Sequence, residues 1–124
     1  MFAPDWEEGC PSCSFWADRF NGIAIHLNHR DVTMVAISRA PWEKLEAFKR
    51  RMGWNFQWLS SGNNVFNYDY HVSFTPEALK GLVEHNYAKL ETEISDWPGV
   101  SVFYKDRDGN IYHTYSAYAR GIDF

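Results

Sequence analysis

The sequence is poor in cysteine, in positive charge and in long apolar stretches. Lysine and arginine number 12 against 16 aspartates and glutamates, a formal net charge of −4, which argues against nucleic acid or an anionic membrane as a partner because both require a basic patch. No apolar run approaches the roughly 20 residues of a transmembrane helix. The first nine residues carry three acidic side chains and no lysine or arginine, the reverse of a signal peptide. These absences predict a cytoplasmic protein.

The length and the apolar content are sufficient for one folded core. A chain of 124 residues is too short for two ordinary domains. Hydrophobic residues make up 45% of the sequence and aromatic residues 18%, which excludes a disordered chain. We therefore predict a single domain over residues 1–124.

The only two cysteines, Cys10 and Cys13, are separated by two residues. Pro11 suits the first position of a helix because its missing N–H would have no partner there, which makes Cys10 the N-cap. Unpaired N–H groups and the helix dipole at that end lower the pKa of a thiol from about 8.5. Cys13, one turn later, could attack a mixed disulfide formed on Cys10. The spacing therefore predicts Cys10 as the nucleophile and Cys13 as the resolving thiol.

Two features oppose this effect on Cys10. Glu7 and Glu8 lie next to the thiol and would raise its pKa by charge repulsion. Pro11 also removes one N–H donor from the first helical turn. The sequence alone leaves the direction of the net pKa shift open.

The first half of the chain predicts a parallel strand–helix–strand unit. The first helix should stop at Asn21-Gly22, with a further helical turn within residues 23–30. Residues 33–38 form an almost unbroken apolar run, typical of a strand buried on both faces. A helix then starts at Pro41 and ends at Gly53, followed by a short strand over residues 55–59.

The second half predicts a loop, a helix and a hairpin. Residues 60–69 are polar and rich in glycine and asparagine, hence a loop. Thr75 as N-cap and Pro76 at the first helical position start a helix that should run to about Ile94. Residues 100–105 and 110–115 flank an Asp-Gly turn and should pair as antiparallel strands. The fold class predicted is α/β with a mixed sheet.

This combination of motifs resembles the thioredoxin-like superfamily, in which a cis-proline precedes the strand that faces the two cysteines. Pro98 is the matching proline. Residues 4–13, 26–33, 38–41 and 102–106 are similar to those of a bacterial family known by a domain-of-unknown-function label, whose members are described as predicted dithiol-disulfide oxidoreductases. The resemblance implies a mixed sheet flanked by helices, Cys10 and Cys13 as catalytic residues, and a substrate groove formed by Pro98, Trp6 and Pro11. Its implied partners are protein or small-molecule disulfides and thiols, without a cofactor or metal.

The chain departs from that superfamily at both ends. The strand that usually precedes the cysteine helix is absent, as is the usual C-terminal helix, so we expect a fragment or a start assigned at an internal methionine. Inspection of the in-frame codons upstream of Met1 tests the second idea. If the chain is complete, its exposed strand edges favour a homodimer.

Three alternatives remain open on the sequence. The βαβ unit also resembles a peroxiredoxin, but Glu7 occupies the position at which a thiol peroxidase needs Thr or Ser. A metal-binding module could combine the cysteines with histidines, and the last alternative is a catalytically silent fragment. The candidate histidine ligands are His26, His29, His71, His85 and His113.

Overall fold

Residues 1–119 are described by a computed structural model, in which the chain divides into one unit over residues 1–70 and a second that starts at His71. Residues 120–124, which the single-domain prediction includes, lie outside the described residues. Within residues 1–119 the structure is mixed α/β, with four α-helices and three two-stranded sheets. The part of the chain described contains no helix that is both long enough and apolar enough to cross a membrane.

The first unit is built around a parallel pair of strands joined by a helix. Val35 of β1 lies opposite Gln57 of β2, and Ser38 opposite Ser60, so the predicted βαβ unit is confirmed. The elements in chain order are α1 (Pro11–Ala17), α2 (Phe20–Asn28), β1 (Val35–Ser38), α3 (Trp42–Met52), β2 (Gln57–Ser60) and α4 (Phe66–Asp69).

Three local predictions in this unit are wrong. Helix α2 runs through Asn21-Gly22 instead of stopping there, because the Asn21 amide donates to the Gly53 carbonyl at 3.1 Å and its oxygen accepts the Asn55 N–H at 2.8 Å. These long-range hydrogen bonds hold the asparagine in the helix. Strand β1 is not buried on both faces, since Ile37 is 38% exposed in a sheet of only two strands. The predicted loop over residues 60–69 contains α4.

Aromatic rings fill the core of the first unit. Phe2 is only 2% exposed, and its ring centroid lies 5.5 Å from that of Phe48. Phe48 also packs edge-on against Trp54 at 5.7 Å, and Trp54 lies 5.6 Å from Trp58. The Phe2 carbonyl accepts the N–H of Ala40 at 2.9 Å, so the start of the chain is joined to the segment after β1.

Helix α3 ends at Gly53, as predicted, in the left-handed conformation with φ of 70°. A Cβ at this position would meet no other atom, so the cost of Gly53→Ala is conformational. We expect the change to lower the free energy of unfolding by about 1–2 kcal/mol. Gly22→Ala is the matched control, because Gly22 lies inside α2 with open space around it; it should stabilise the protein by about 0.5–1 kcal/mol. Urea denaturation of both variants tests the opposite signs.

The second unit contains two antiparallel hairpins. The predicted hairpin of β5 (Val100–Lys105) and β6 (Ile111–Ala117) is confirmed, with Lys105 opposite Ile111. The carboxylate of Asp106 accepts the N–H groups of Asp108 at 2.9 Å and Asn110 at 2.8 Å, which closes the turn.

The helix predicted from Thr75 to about Ile94 is wrong. A single 3₁₀ turn at Ala78–Lys80 is followed by β3 (Val83–His85) and β4 (Ala88–Leu90), which pair as a hairpin. Asn86 and Tyr87 both have positive φ, 52° and 60°, as a two-residue type I′ turn requires. Val83 lies in β3 and Leu90 in β4, and within β3 the buried Val83 and His85 alternate with the exposed Glu84.

Candidate active site

Cys10 is the N-cap of α1, as predicted, with Pro11 in the first turn. Its carbonyl accepts the Ser14 backbone N–H at 2.9 Å and the Ser14 hydroxyl at 2.9 Å. Its own N–H donates to the Met1 carbonyl at 3.0 Å. Cys13 follows one turn later, and both thiols are free and half-buried. The backbone of Cys10 is therefore hydrogen-bonded on both sides, and the residue is only half-buried.

The pKa of the Cys10 thiol is lowered. Partial burial acts in the opposite direction and is the largest single influence, but several lowering influences together outweigh it. They are hydrogen bonds to the sulfur from the backbone N–H and the thiol of Cys13, the charge of the Met1 ammonium, and the backbone N–H of Ser12. The direction that the sequence left open is thus settled by donors in the first turn of α1.

The pKa of the Cys13 thiol is raised. Burial is the main cause, and the hydrogen bond to Cys10 together with the negative charge of the Cys10 thiolate raises it further, against the opposing effect of the Met1 ammonium. Of the two thiols, Cys10 therefore ionises more readily than Cys13.

The two acidic residues beside Cys10 are paired with basic side chains of α3. Arg51 Nη1 lies 2.7 Å from Glu8 Oε1, and the hydrogen bond and charge of Arg51 lower the pKa of the Glu8 carboxyl. Lys44 Nζ lies 3.5 Å from Glu7 Oε1. The repulsion that Glu7 and Glu8 would exert on a thiolate is accordingly offset by these cations.

A shallow groove of about 350 Å³ runs between α1 and the end of α3. Ser14 and Phe15 line it from α1, and Phe48 and Met52 line it from α3. Gly9 forms part of the groove, and a Cβ at this residue would lie 3.1 Å from the Phe48 ring. The lack of a side chain at Gly9 therefore lets the segment before Cys10 lie directly against the core.

The predicted groove residues fall into two parts of the chain. Pro11 is exposed and lines the groove, and Trp6 is half-buried against the aromatic core. Both belong to the same unit as Cys10. Pro98 belongs to the second unit, just before β5. No cis peptide bond occurs in residues 1–119, so the cis bond that the resemblance implies at Pro98 is not found.

The histidines do not supply a metal site in the described residues. His26 and His29 are exposed at the end of α2. His85 is buried, and its Nδ1 lies 2.9 Å from the His71 carbonyl oxygen, while His113 contacts the Ser116 hydroxyl at 2.8 Å. Residues 1–119 contain no cluster of three or more His, Cys, Asp or Glu side chains able to hold a metal.

The sequence reasoning missed the residues that fasten the cysteine helix. No role follows from the sequence for Lys44 or Arg51, although their spacing of seven residues places them on one helical face. Asp18, at the end of α1, accepts a hydrogen bond from the indole Nε1 of Trp54 at 2.8 Å. In the sequence, the acidic pair at residues 7 and 8 is the one indication of these contacts. Two adjacent carboxylates beside a thiol are stabilised by basic side chains on the element that packs against them.

Comparison with known proteins gives a family. No curated protein and no solved structure matches the chain. The model of one family, described as "Bacterial protein of unknown function (DUF899)", matches residues 1–124. Because the match covers the whole sequence, the chain belongs to the bacterial family DUF899.

Proposed function

We propose that this protein is a thiol-disulfide oxidoreductase in which Cys10 is the nucleophile and Cys13 the resolving thiol. The observation that carries the proposal is the contrast between the two thiols. Cys10, at the helix N-terminus, has a lowered pKa, and Cys13, one turn away, has a raised pKa. A thiolate is the attacking species in disulfide exchange. The arrangement therefore provides one thiol that ionises readily and attacks first, and a second thiol that resolves the mixed disulfide.

The reaction proceeds by two exchanges of sulfur partners. The Cys10 thiolate attacks one sulfur of a substrate disulfide, a mixed disulfide forms, and the other substrate sulfur leaves as a thiolate that takes up a proton. Cys13 then loses its proton and attacks the Cys10 sulfur, which releases the second substrate thiol. The substrate gains two electrons and the cysteine pair loses them as a disulfide. A dithiol donor must then reduce the pair before the next cycle.

The proposal also covers the fold, the cellular location and the oligomeric state. The parallel βαβ unit after the cysteine helix supports a thioredoxin-like relationship. The open groove beside α1 is lined by Gly9 and Pro11, the two neighbours of Cys10, but by neither cysteine, so a protein or small-molecule disulfide bound there would lie next to the thiol pair. A cytoplasmic location fits a reducing pair, because cytosolic thiols are kept reduced. Within residues 1–119 the β1–β2 sheet has no third strand, and unpaired strand edges of this kind favour a homodimer.

A redox titration of the purified protein tests the function. We expect Cys10 and Cys13 to form a reversible intramolecular disulfide in glutathione buffers. At each potential the remaining free thiols are alkylated, and mass spectrometry measures the fraction of protein in the disulfide form. A midpoint reduction potential of about −270 mV indicates a reductant, and one of about −120 mV indicates an oxidant. If no reversible disulfide forms at any potential in this range, the proposed function is wrong.

A further inference from the structure

Two basic side chains of α3 hold the segment that leads into the first cysteine. Lys44 Nζ donates a hydrogen bond to the Trp6 carbonyl at 2.8 Å and lies 3.5 Å from Glu7 Oε1. Arg51 Nη1 donates to Glu8 Oε1 at 2.7 Å. Both cations lie on one face of the helix, so the backbone and both carboxylates of this acidic segment are tied to α3.

The Arg51 contact is also supported by packing. Its guanidinium lies over the Phe48 ring, 4.7 Å from the centroid, and a Cβ added at Gly9 would lie 3.1 Å from the same ring. Glu8 and Gly9 directly precede Cys10. A carboxylate without a partner at this place would disfavour a nearby thiolate, whereas a carboxylate paired to a guanidinium has little net effect.

We propose that Arg51 is a positioning residue for Cys10: by holding the Glu8 carboxylate on α3, it keeps that charge neutralised and so favours the thiolate form of Cys10. This inference rests on the proposed function of Cys10 as the nucleophile. Arg51 acts through Glu8 and takes no part in bond formation. Its contribution is to neutralise the Glu8 carboxylate in the segment that directly precedes Cys10 and α1.

The Arg51→Gln substitution itself alters none of the other ionisable groups on or before α1. They are the Cys13 thiol and the Met1 ammonium, which act directly on the Cys10 sulfur, the Glu7 carboxylate paired to Lys44, and the Asp18 carboxylate bonded to the Trp54 indole. A change in reactivity after substitution of Arg51 therefore reports the release of Glu8.

The test is the rate of Cys10 alkylation by iodoacetamide as a function of pH, in the full chain, with the modified cysteine assigned by fragment mass spectrometry. We expect Arg51→Gln to slow the reaction at pH 7 about two- to threefold, the effect of one nearby charge in a mostly aqueous setting, and to move the midpoint of the pH–rate curve upward. At about 1 M salt, where the screening length falls to about 3 Å, the difference should disappear.

A double variant separates charge from structure. Glu8→Gln combined with Arg51→Gln should restore the original pH–rate curve, because the carboxylate that Arg51 neutralises is then gone. Arg50→Gln is the matched control, since this neighbouring side chain is 80% exposed and its ion pair within the described residues is with Glu46 of α3, at 4.0 Å; it should leave the curve unchanged. A double variant as slow as Arg51→Gln alone would overturn the inference, because Arg51 would then act only through the fold.

The outcome is independent of the redox titration. Alkylation requires a reactive thiol but no disulfide substrate, so the Arg51 effect is measured even if Cys10 and Cys13 form no reversible disulfide. In that event the proposed function fails while the role of Arg51 in Cys10 reactivity stands. If Cys10 and Cys13 do form a reversible disulfide but Arg51→Gln leaves the alkylation rate of Cys10 unchanged, the proposed function stands and the role of Arg51 fails.

Discussion

Replacing Cys10 with serine is expected to abolish the proposed disulfide reduction, with a loss of about a thousandfold or more, because a serine hydroxyl remains protonated at neutral pH and cannot replace the thiolate. Replacement of Cys13 with serine should have a different result. The first exchange still occurs, but the mixed disulfide on Cys10 is not resolved, so it should accumulate. Mass spectrometry after incubation with glutathione disulfide distinguishes the two variants by the adduct of the Cys13→Ser protein.

Ser12→Ala is the matched control for these two substitutions. Ser12 lies between the cysteines, is exposed, and contributes to Cys10 only through its backbone N–H, which the substitution retains. Its activity should be close to that of the unchanged protein. An adduct that forms on Cys13 in the Cys10→Ser variant, with none in Cys13→Ser, would show that the roles of the two thiols are reversed.

The second large effect is expected in the core beneath the cysteine helix. Phe48 is 8% exposed, and its ring is surrounded by Phe2 at 5.5 Å, Trp54 at 5.7 Å and Trp58 at 6.3 Å. Phe48→Ala removes a ring from this cluster and leaves a cavity, for which we expect a loss of about 3–5 kcal/mol in the free energy of unfolding. Urea denaturation measures the difference.

Two further variants serve as controls for this prediction. Phe15→Ala makes the same chemical change at a side chain that is 63% exposed, and it should cost under about 1 kcal/mol. Phe48→Leu retains most of the volume and should fall between the two alanine variants, which keeps the comparison measurable if Phe48→Ala does not fold. Equal losses for Phe48→Ala and Phe15→Ala would contradict the assigned core.

The elements that the sequence predicts well are those with a local cause. Pro11 constrains the backbone at the first helical position, so the N-cap at Cys10 follows from one residue and its neighbours. Leu45 and Phe48 repeat at helical spacing before a glycine, which identifies α3 and its end. The Asp-Gly turn specifies the β5–β6 hairpin without help from the rest of the chain.

The elements that it predicts poorly depend on distant partners or on short patterns. Val83 and Leu90 are seven residues apart, a spacing that suits one face of a helix and also the two ends of a tight hairpin. The positive φ values at Asn86 and Tyr87 decide between the two, and no glycine marks them. The burial of Phe2 likewise depends on contacts with residues from 38 to 56 positions away.

The candidate site divides in the same way. The assignment of Cys10 and Cys13 needs only their spacing and Pro11. The direction of the Cys10 pKa shift could not be predicted, because it depends on hydrogen bonds to the sulfur and on the charge of the Met1 ammonium, which only the folded chain places. The charges of Glu7 and Glu8 are likewise paired with Lys44 and Arg51, which lie 37 and 43 residues further along the chain. Charge next to a thiol in the sequence therefore says little until its counter-charge is located in space.

The hydrogen bond from the Trp54 indole to Asp18 gives the protein an optical reporter of its own. Trp54 is buried, and its Nε1 is bonded to the residue that ends the cysteine helix. Indole emission is sensitive to the loss of a hydrogen bond and to contact with water. Displacement of α1 during a redox cycle would therefore change the intrinsic fluorescence, and comparison with a Trp54→Phe variant would isolate that signal without any added label.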